Sequence, residues 1–173
     1  MHRLPNVLDI EASGFSPEGY PIEVGFVLAD GTRFCRLIDP PDHWQHWDEE
    51  AEALHGIDRA TLLENGVTPQ ALCRELNFRL KGLRLYSDGW VLDQRWLDQL
   101  FGEAGIRAEF YLSPIESIQS ECQYLLWDRV KAELRSKISA PRHRASNDAE
   151  FIQALFVATA LRCETELQSH AEP

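Results

Sequence analysis

The first 41 residues hold three short strand-forming stretches joined by connections too tight for a crossover, so they can pair only as an antiparallel meander. Residues 7–11 alternate strictly, with Leu8 and Ile10 on one face and Asp9 and Glu11 on the other. Residues 13–21 contain two glycines and two prolines and read as a loop. Residues 22–29 form a second strand. Asp30-Gly31 is a hairpin signal that leads into a third strand over residues 33–38. Pro40-Pro41 stops the run, because proline has no amide hydrogen to continue a ladder.

From residue 48 the apolar period becomes helical, over 48–54, 58–64 and 69–81. Residues 83–86 make a short apolar strand. Residues 92–104 form an amphipathic helix that gathers Leu92, Trp96, Leu97, Leu100 and Phe101 on one side. A fifth strand is expected at 110–112, a largely helical stretch at 115–137 and a last long helix at 147–162. Residues 164–173 are polar and are expected to fray. The expectation is one α/β domain over residues 1–163 with a short tail, its antiparallel start extended by strands reached through helices.

With 173 residues, 44% hydrophobic and 26% charged, the chain can bury one core, and wholesale disorder is excluded. No apolar run approaches the roughly 18 residues of a membrane span, and residues 1–5 lack a signal peptide's apolar segment. Cys35, Cys73, Cys122 and Cys163 are widely spaced, which argues against a zinc site. They read as reduced core thiols, so a cytoplasmic location is expected.

A net charge of −11 argues against a polyanionic partner, but the charge is uneven. Residues 129–144 hold six bases (Arg129, Lys131, Arg135, Lys137, Arg142 and Arg144) and one acid, Glu133, leaving −16 on the rest. Residues 39–64 hold eight acids and one base, Arg59. Either run could be a solvated helix face; the basic one also brackets His143.

Three segments carry candidate chemistry. In Leu8-Asp9-Ile10-Glu11 the strand puts two carboxylates side by side, where they repel unless a cation neutralises them. Such oxygen clusters suit Mg2+ or Mn2+, although a solvated strand can show the same pattern. In residues 142–149, Ser146 and Asn147 are good N-caps, which puts Asp148 in the first turn of the last helix and His143 on the loop before it. A neutral histidine there can accept a proton from water. In residues 88–97, Asp93 stands immediately before a helical run; it is a candidate ligand or a helix-dipole cap, and Asp88 competes for the same assignment.

Together these segments resemble the DEDDh, or DnaQ-like, 3′–5′ exonuclease superfamily. The resemblance rests on Asp9-Ile10-Glu11, on Asp93-Gln94-Arg95-Trp96-Leu97, on His143-Arg144-Ala145-Ser146-Asn147-Asp148 and on Leu54-His55-Gly56-Ile57, in order from residue 7 to residue 156. Two departures stand out: Asp88-Gly89-Trp90 replaces the His-Asn-Ala common in relatives, and Ala12 replaces a common threonine. The resemblance implies a ribonuclease-H-like sheet of three antiparallel strands followed by two parallel ones, flanked by helices. It implies two divalent ions, Mg2+ or Mn2+, held by Asp9, Glu11, Asp93 and Asp148, with His143 as general base. It also implies contact of Ala12, Ser13, His55 and Trp90 with the terminal nucleotide, and hydrolysis at the 3′ ends of single-stranded or short DNA or RNA. Arg142 and Arg144 are the expected backbone-phosphate contacts. An inactive binding module is the alternative, and a homodimer or a polymerase partner stays open.

Overall fold

The computed structural model describes residues 4–136 and 144–169. Strands β1 (Val7–Ala12), β2 (Pro21–Val27), β3 (Arg33–Leu37), β4 (Arg84–Ser87) and β5 (Tyr111–Pro114) form one sheet in the order β3-β2-β1-β4-β5. The β1/β2 and β2/β3 pairs are antiparallel; β1/β4 and β4/β5 are parallel. This is the mixed sheet expected above.

Helices α1 (Glu49–His55), α2 (Arg59–Asn65) and α3 (Pro69–Leu80) follow the meander, each opened by a side chain that satisfies an otherwise free amide. Asp48 accepts from Glu50 N, Asp58 from Thr61 N and Thr68 from Ala71 N. Gly56 closes α1 in the left-handed region at φ 66°, which a Cβ would strain. Helix α4 (Trp90–Ala104) links β4 to β5, and α5 (Glu121–Arg135) and α6 (Ala145–Ser169) complete the chain.

Alternation along β1 and β2 gives the sheet two unlike faces. Leu8, Ile10, Ala12, Ile22, Val24 and Phe26 join the main core with Leu72, Leu76 and Leu80 of α3 and Trp96, Leu97, Leu100 and Phe101 of α4. On the opposite face Asp9 pairs across the ladder with Gly25, and Glu11 with Glu23. Val7 and Val27, at the far end of that face, pack with Ala149, Ile152 and Phe156 of α6. Gly25 admits α6 closely: a Cβ there would lie 2.2 Å from Ser146 N. Any side chain would push the helix away.

Four expectations change. The fifth strand begins one residue later, because Phe110 turns into the core against Phe101, ring centroids 5.8 Å apart. The stretch after it is broken: a 3-10 turn (Ile115–Ile118) ends before Ser120, whose capping box with Gln123 starts α5 afresh. Helix α6 begins at Ala145, two residues earlier than expected, and runs to Ser169, beyond the expected end at 162; residues 170–173 of the expected tail lie outside the described residues. The Arg162–Glu133 and Arg129–Glu166 ion pairs tie it to α5. Finally, Cys122 and Cys163 are not reduced thiols but a disulfide, Cα atoms 6.0 Å apart. The seam of Leu126, Val130 and Leu155 between α5 and α6 brings them together. Cys35 and Cys73 are free, and the disulfide removes the premise of all-reduced thiols on which the expected location rested. Among the described residues, no helix is long and apolar enough to cross a membrane.

Candidate active site

The carboxylate face of β1 meets the beginning of α6. Asp9 and Glu11 project from the strand, and Asp148 projects from the first helical turn; one oxygen of each lies within 4.8 Å of the others. All three are half-buried. A hexacoordinate ion with oxygens at about 2.0–2.1 Å gathers its ligands to within roughly 3–4 Å of one another, so small side-chain adjustments close this set on a divalent cation. An all-oxygen, all-anionic donor set suits Mg2+ or Mn2+.

Asp93 lies in the first turn of α4 and is 3% exposed. Its carboxylate accepts from Ser87 Oγ, which in turn accepts from Gly89 N at 3.0 Å. Asp93 is the neighbouring charge that bears most strongly on Asp9, ahead of Glu11 and Asp148; Asp88 bears least. Asp88 is engaged elsewhere, by Lys131 Nζ at 2.5 Å.

Crowding makes these acids hard to ionise together. Burial, then the charges of Asp93, Glu11, Asp148 and Asp88, hold the Asp9 carboxyl well above its ordinary range. Burial, then Asp148 and Glu23, push Glu11 up to about 8, against a smaller opposing pull from Arg144. Burial pushes Asp93 up to about 7, opposed by the Ser87 hydrogen bond. Two or three anions here need a cation, and a divalent one matches the charge.

These carboxylates line a cavity of about 240 Å3. Ala12 and His55 line it too, and His55 is buried, its Nδ1 accepting from Ile57 N at 3.1 Å. Two residues expected at the substrate do not line it. Ser13 is fully buried, where its hydroxyl accepts from Tyr20 N at 3.1 Å and meets His46 Nδ1 at 3.2 Å. Trp90 is 36% exposed at the start of α4, and Trp96, two turns on, lines the cavity instead. His143, with Arg142, lies outside the described residues.

Phe15, Leu54, Lys131 and Arg135 are among the lining residues that the sequence reading did not place at the site. Phe15 and Leu54 are 65% and 54% exposed and give the cavity apolar walls beside Trp96, whose ring centroid is 6.2 Å from that of Phe15. Phe15 sits in a loop without periodicity, so an exposed aromatic there was the one available signal. Lys131 and Arg135 of α5 also line the cavity. Arg144, expected at the backbone phosphates, instead donates from Nη2 (2.5 Å) and Nε (2.9 Å) to Glu23 Oε1; Glu23 is fully buried and also accepts from Ala145 N at 2.8 Å.

No protein-family model and no curated protein matches the sequence. Solved structures do match. The zinc-bound complex of E. coli exonuclease I with single-stranded DNA superposes with a TM-score of 0.70 at 14% identity, covering 91% of this chain and 41% of that one. E. coli exonuclease I in complex with a dA16 oligonucleotide gives 0.69 at 14% identity, with the same coverage. Exonuclease I from Methylocaldum szegediense gives 0.54 at 14% identity, covering 74% of this chain and 30% of that one. The chain thus spans about two fifths of the length of the E. coli enzyme. The chain therefore shares the fold of these exonuclease I structures, a ribonuclease-H-like mixed sheet flanked by helices.

Proposed function

We propose that the chain is a metal-dependent 3′–5′ exonuclease that releases nucleoside 5′-monophosphates from single-stranded ends. One observation carries the reading: Asp9, Glu11 and Asp148, from two elements far apart in sequence, converge within 4.8 Å on an exonuclease-type sheet. Asp9, Glu11 and Asp148 would hold one ion, and Asp9 with Asp93 a second. The ion pair that engages Asp88 with Lys131, and the buried place of Asp93 in the first turn of α4, favour Asp93 as the fourth carboxylate. When bound, two divalent ions supply charge stabilisation at the attacking and leaving oxygens of an in-line displacement.

The remaining work falls to side chains. His143 accepts the proton of the attacking water, whose oxygen bonds to the terminal phosphorus as the bond to the neighbouring 3′ oxygen breaks. Phe15 and Leu54 offer exposed apolar faces for the terminal base, and stacking on an aromatic ring contributes about 1–3 kcal/mol per base. Ala12 leaves room beside them. The oligonucleotides held by the exonuclease I structures make a single-stranded DNA end the first substrate to try.

The test is digestion of a 5′-labelled single strand, DNA and RNA in parallel, in Mg2+ or Mn2+. Stepwise shortening that EDTA stops, and that Asp9→Ala abolishes without changing the circular dichroism spectrum, supports the reading. Shortening that continues in EDTA, or no cleavage of either strand, overturns it; binding without cleavage would mark an inactive nucleic-acid-binding module.

A further inference from the structure

The cavity lining contains five carboxylates, those of Asp9, Glu11, Asp88, Asp93 and Asp148, and two cations, Lys131 and Arg135. Both cations come from α5 and stand one turn apart, so they share a face of that helix. Lys131 is not drawn into the crowded trio of Asp9, Glu11 and Asp148. It pairs with Asp88 at 2.5 Å, at the first residue after β4, and both side chains are partly buried, at 28% and 18% exposure. An ammonium carries three donors, so one contact to Asp88 fixes its place and leaves donors for a second acceptor. The Arg135 guanidinium lies 5.2 Å from the ring centroid of Phe151, and among the described residues no carboxylate pairs with it. Stacking of this kind holds the side chain while its in-plane N–H edge stays available.

The other described cations of the basic segment are committed: Arg129 to Glu166 and Arg144 to Glu23. A strand whose 3′ end enters the cavity presents its scissile phosphate to the metal-binding carboxylates, but its next phosphates find no metal. They need cations at the rim of a chain that is otherwise strongly acidic.

We propose that Lys131 and Arg135 form a binding edge for the phosphodiester backbone beyond the scissile linkage, with Asp88 as the residue that positions Lys131. This rests on the nuclease reading of the same cavity. It also gives Asp88 a role outside metal binding.

The test uses the full chain in Mn2+ and a single-stranded DNA oligonucleotide whose 3′-terminal linkage resists hydrolysis, with fluorescence anisotropy read across a salt series. Each phosphate contact contributes about 0.7 to the slope of log affinity against log salt for a single strand. Lys131→Gln and Arg135→Gln should each flatten the slope by about 0.7, and together by about 1.4. Lys131→Arg should restore the slope, and Asp88→Asn should weaken binding less than Lys131→Gln does. A neutral methylphosphonate at the second linkage from the 3′ end should weaken wild-type binding and add nothing in the double variant. Unaltered slopes in variants that melt as the wild type does would overturn the proposal, while cleavage of an ordinary strand by the wild type would leave the nuclease reading standing. A wild type that neither binds nor cleaves the strand would overturn both.

Discussion

The two faces of the sheet are built from the same two strands and could hardly differ more. On one face, Leu8, Ile10, Ile22, Val24 and Phe26 are at most 5% exposed against α3 and α4, with ring stacking of Phe26 on Phe34 at 4.8 Å. That face has shape to satisfy and no charge. On the other, Asp9, Glu11 and Glu23 crowd under α6, and burial raises the carboxyl groups of the first two far above their ordinary range. Burial of acids without a cation opposes folding, whereas burial of apolar surface at about 25 cal/mol per Å2 drives it. One strand thus spends stability on its acidic face that its apolar face supplies, and a residue's face decides whether its loss is felt in stability or in chemistry.

Substitutions on each face can break this contrast. The largest expected effect is Asp9→Ala, which should reduce hydrolysis roughly 10⁴-fold, about 5 kcal/mol of transition-state stabilisation, with a melting temperature at or above that of the wild type in EDTA. A lower metal-free melting temperature would mean the acidic face contributes to stability after all. Phe26→Ala should do the opposite and cost about 3–5 kcal/mol of folding stability in denaturant titration, while the remaining folded fraction keeps its rate per molecule. His143→Ala should lower kcat about 10²–10⁴-fold in single-turnover assays without weakening metal binding by calorimetry. Gly25→Ala sharpens the comparison further. Its Cβ would meet the backbone of Ala145 and Ser146, so it should cost about 1–3 kcal/mol and also lower activity by displacing Asp148.

A last contrast between the two faces is one of pH. In EDTA the Glu11 carboxyl, at about 8 when folded against 4.5 when exposed, takes up a proton on folding between those values. Stability should therefore fall as pH rises from about 5 to 8, most of it carried by groups of this kind. Glu11→Gln should flatten that slope, and Mn2+ should raise the melting temperature more at pH 8 than at pH 6. A metal-free stability that rises over this window, by thermal melts, would contradict the assignment.

Local order was legible because it is local. Strict alternation told that Asp9 and Glu11 share a face, and the change to a helical period marked the three helices after the meander, whose caps Asp48, Asp58 and Thr68 only the structure shows. Asp148 was rightly placed in a first turn, although α6 starts at Ala145 and so holds Ser146 and Asn147 inside it rather than as caps. The sheet order follows from tight early connections and later crossovers. The cavity walls were not legible. Phe15 and Trp90 are both aromatics near loops, and nothing in their neighbours tells which one turns toward the acids. Lys131 looked like one more charge on a basic helix, and only the packing of α5 brings it to Asp88, 43 residues earlier.

The carboxylates of the first strand were thus determined by sequence alone, because a strand's period of two is fixed by backbone geometry and needs no partner. Tertiary structure decided which acids meet, which aspartate a lysine holds, where Arg144 goes and that Cys122 joins Cys163 across 41 residues. Those outcomes depend on how helices seat against a sheet, at Gly25 and along the Leu126–Leu155 seam. Contacts between residues distant in the chain are settled by the packing of whole elements, which no short stretch of sequence encodes.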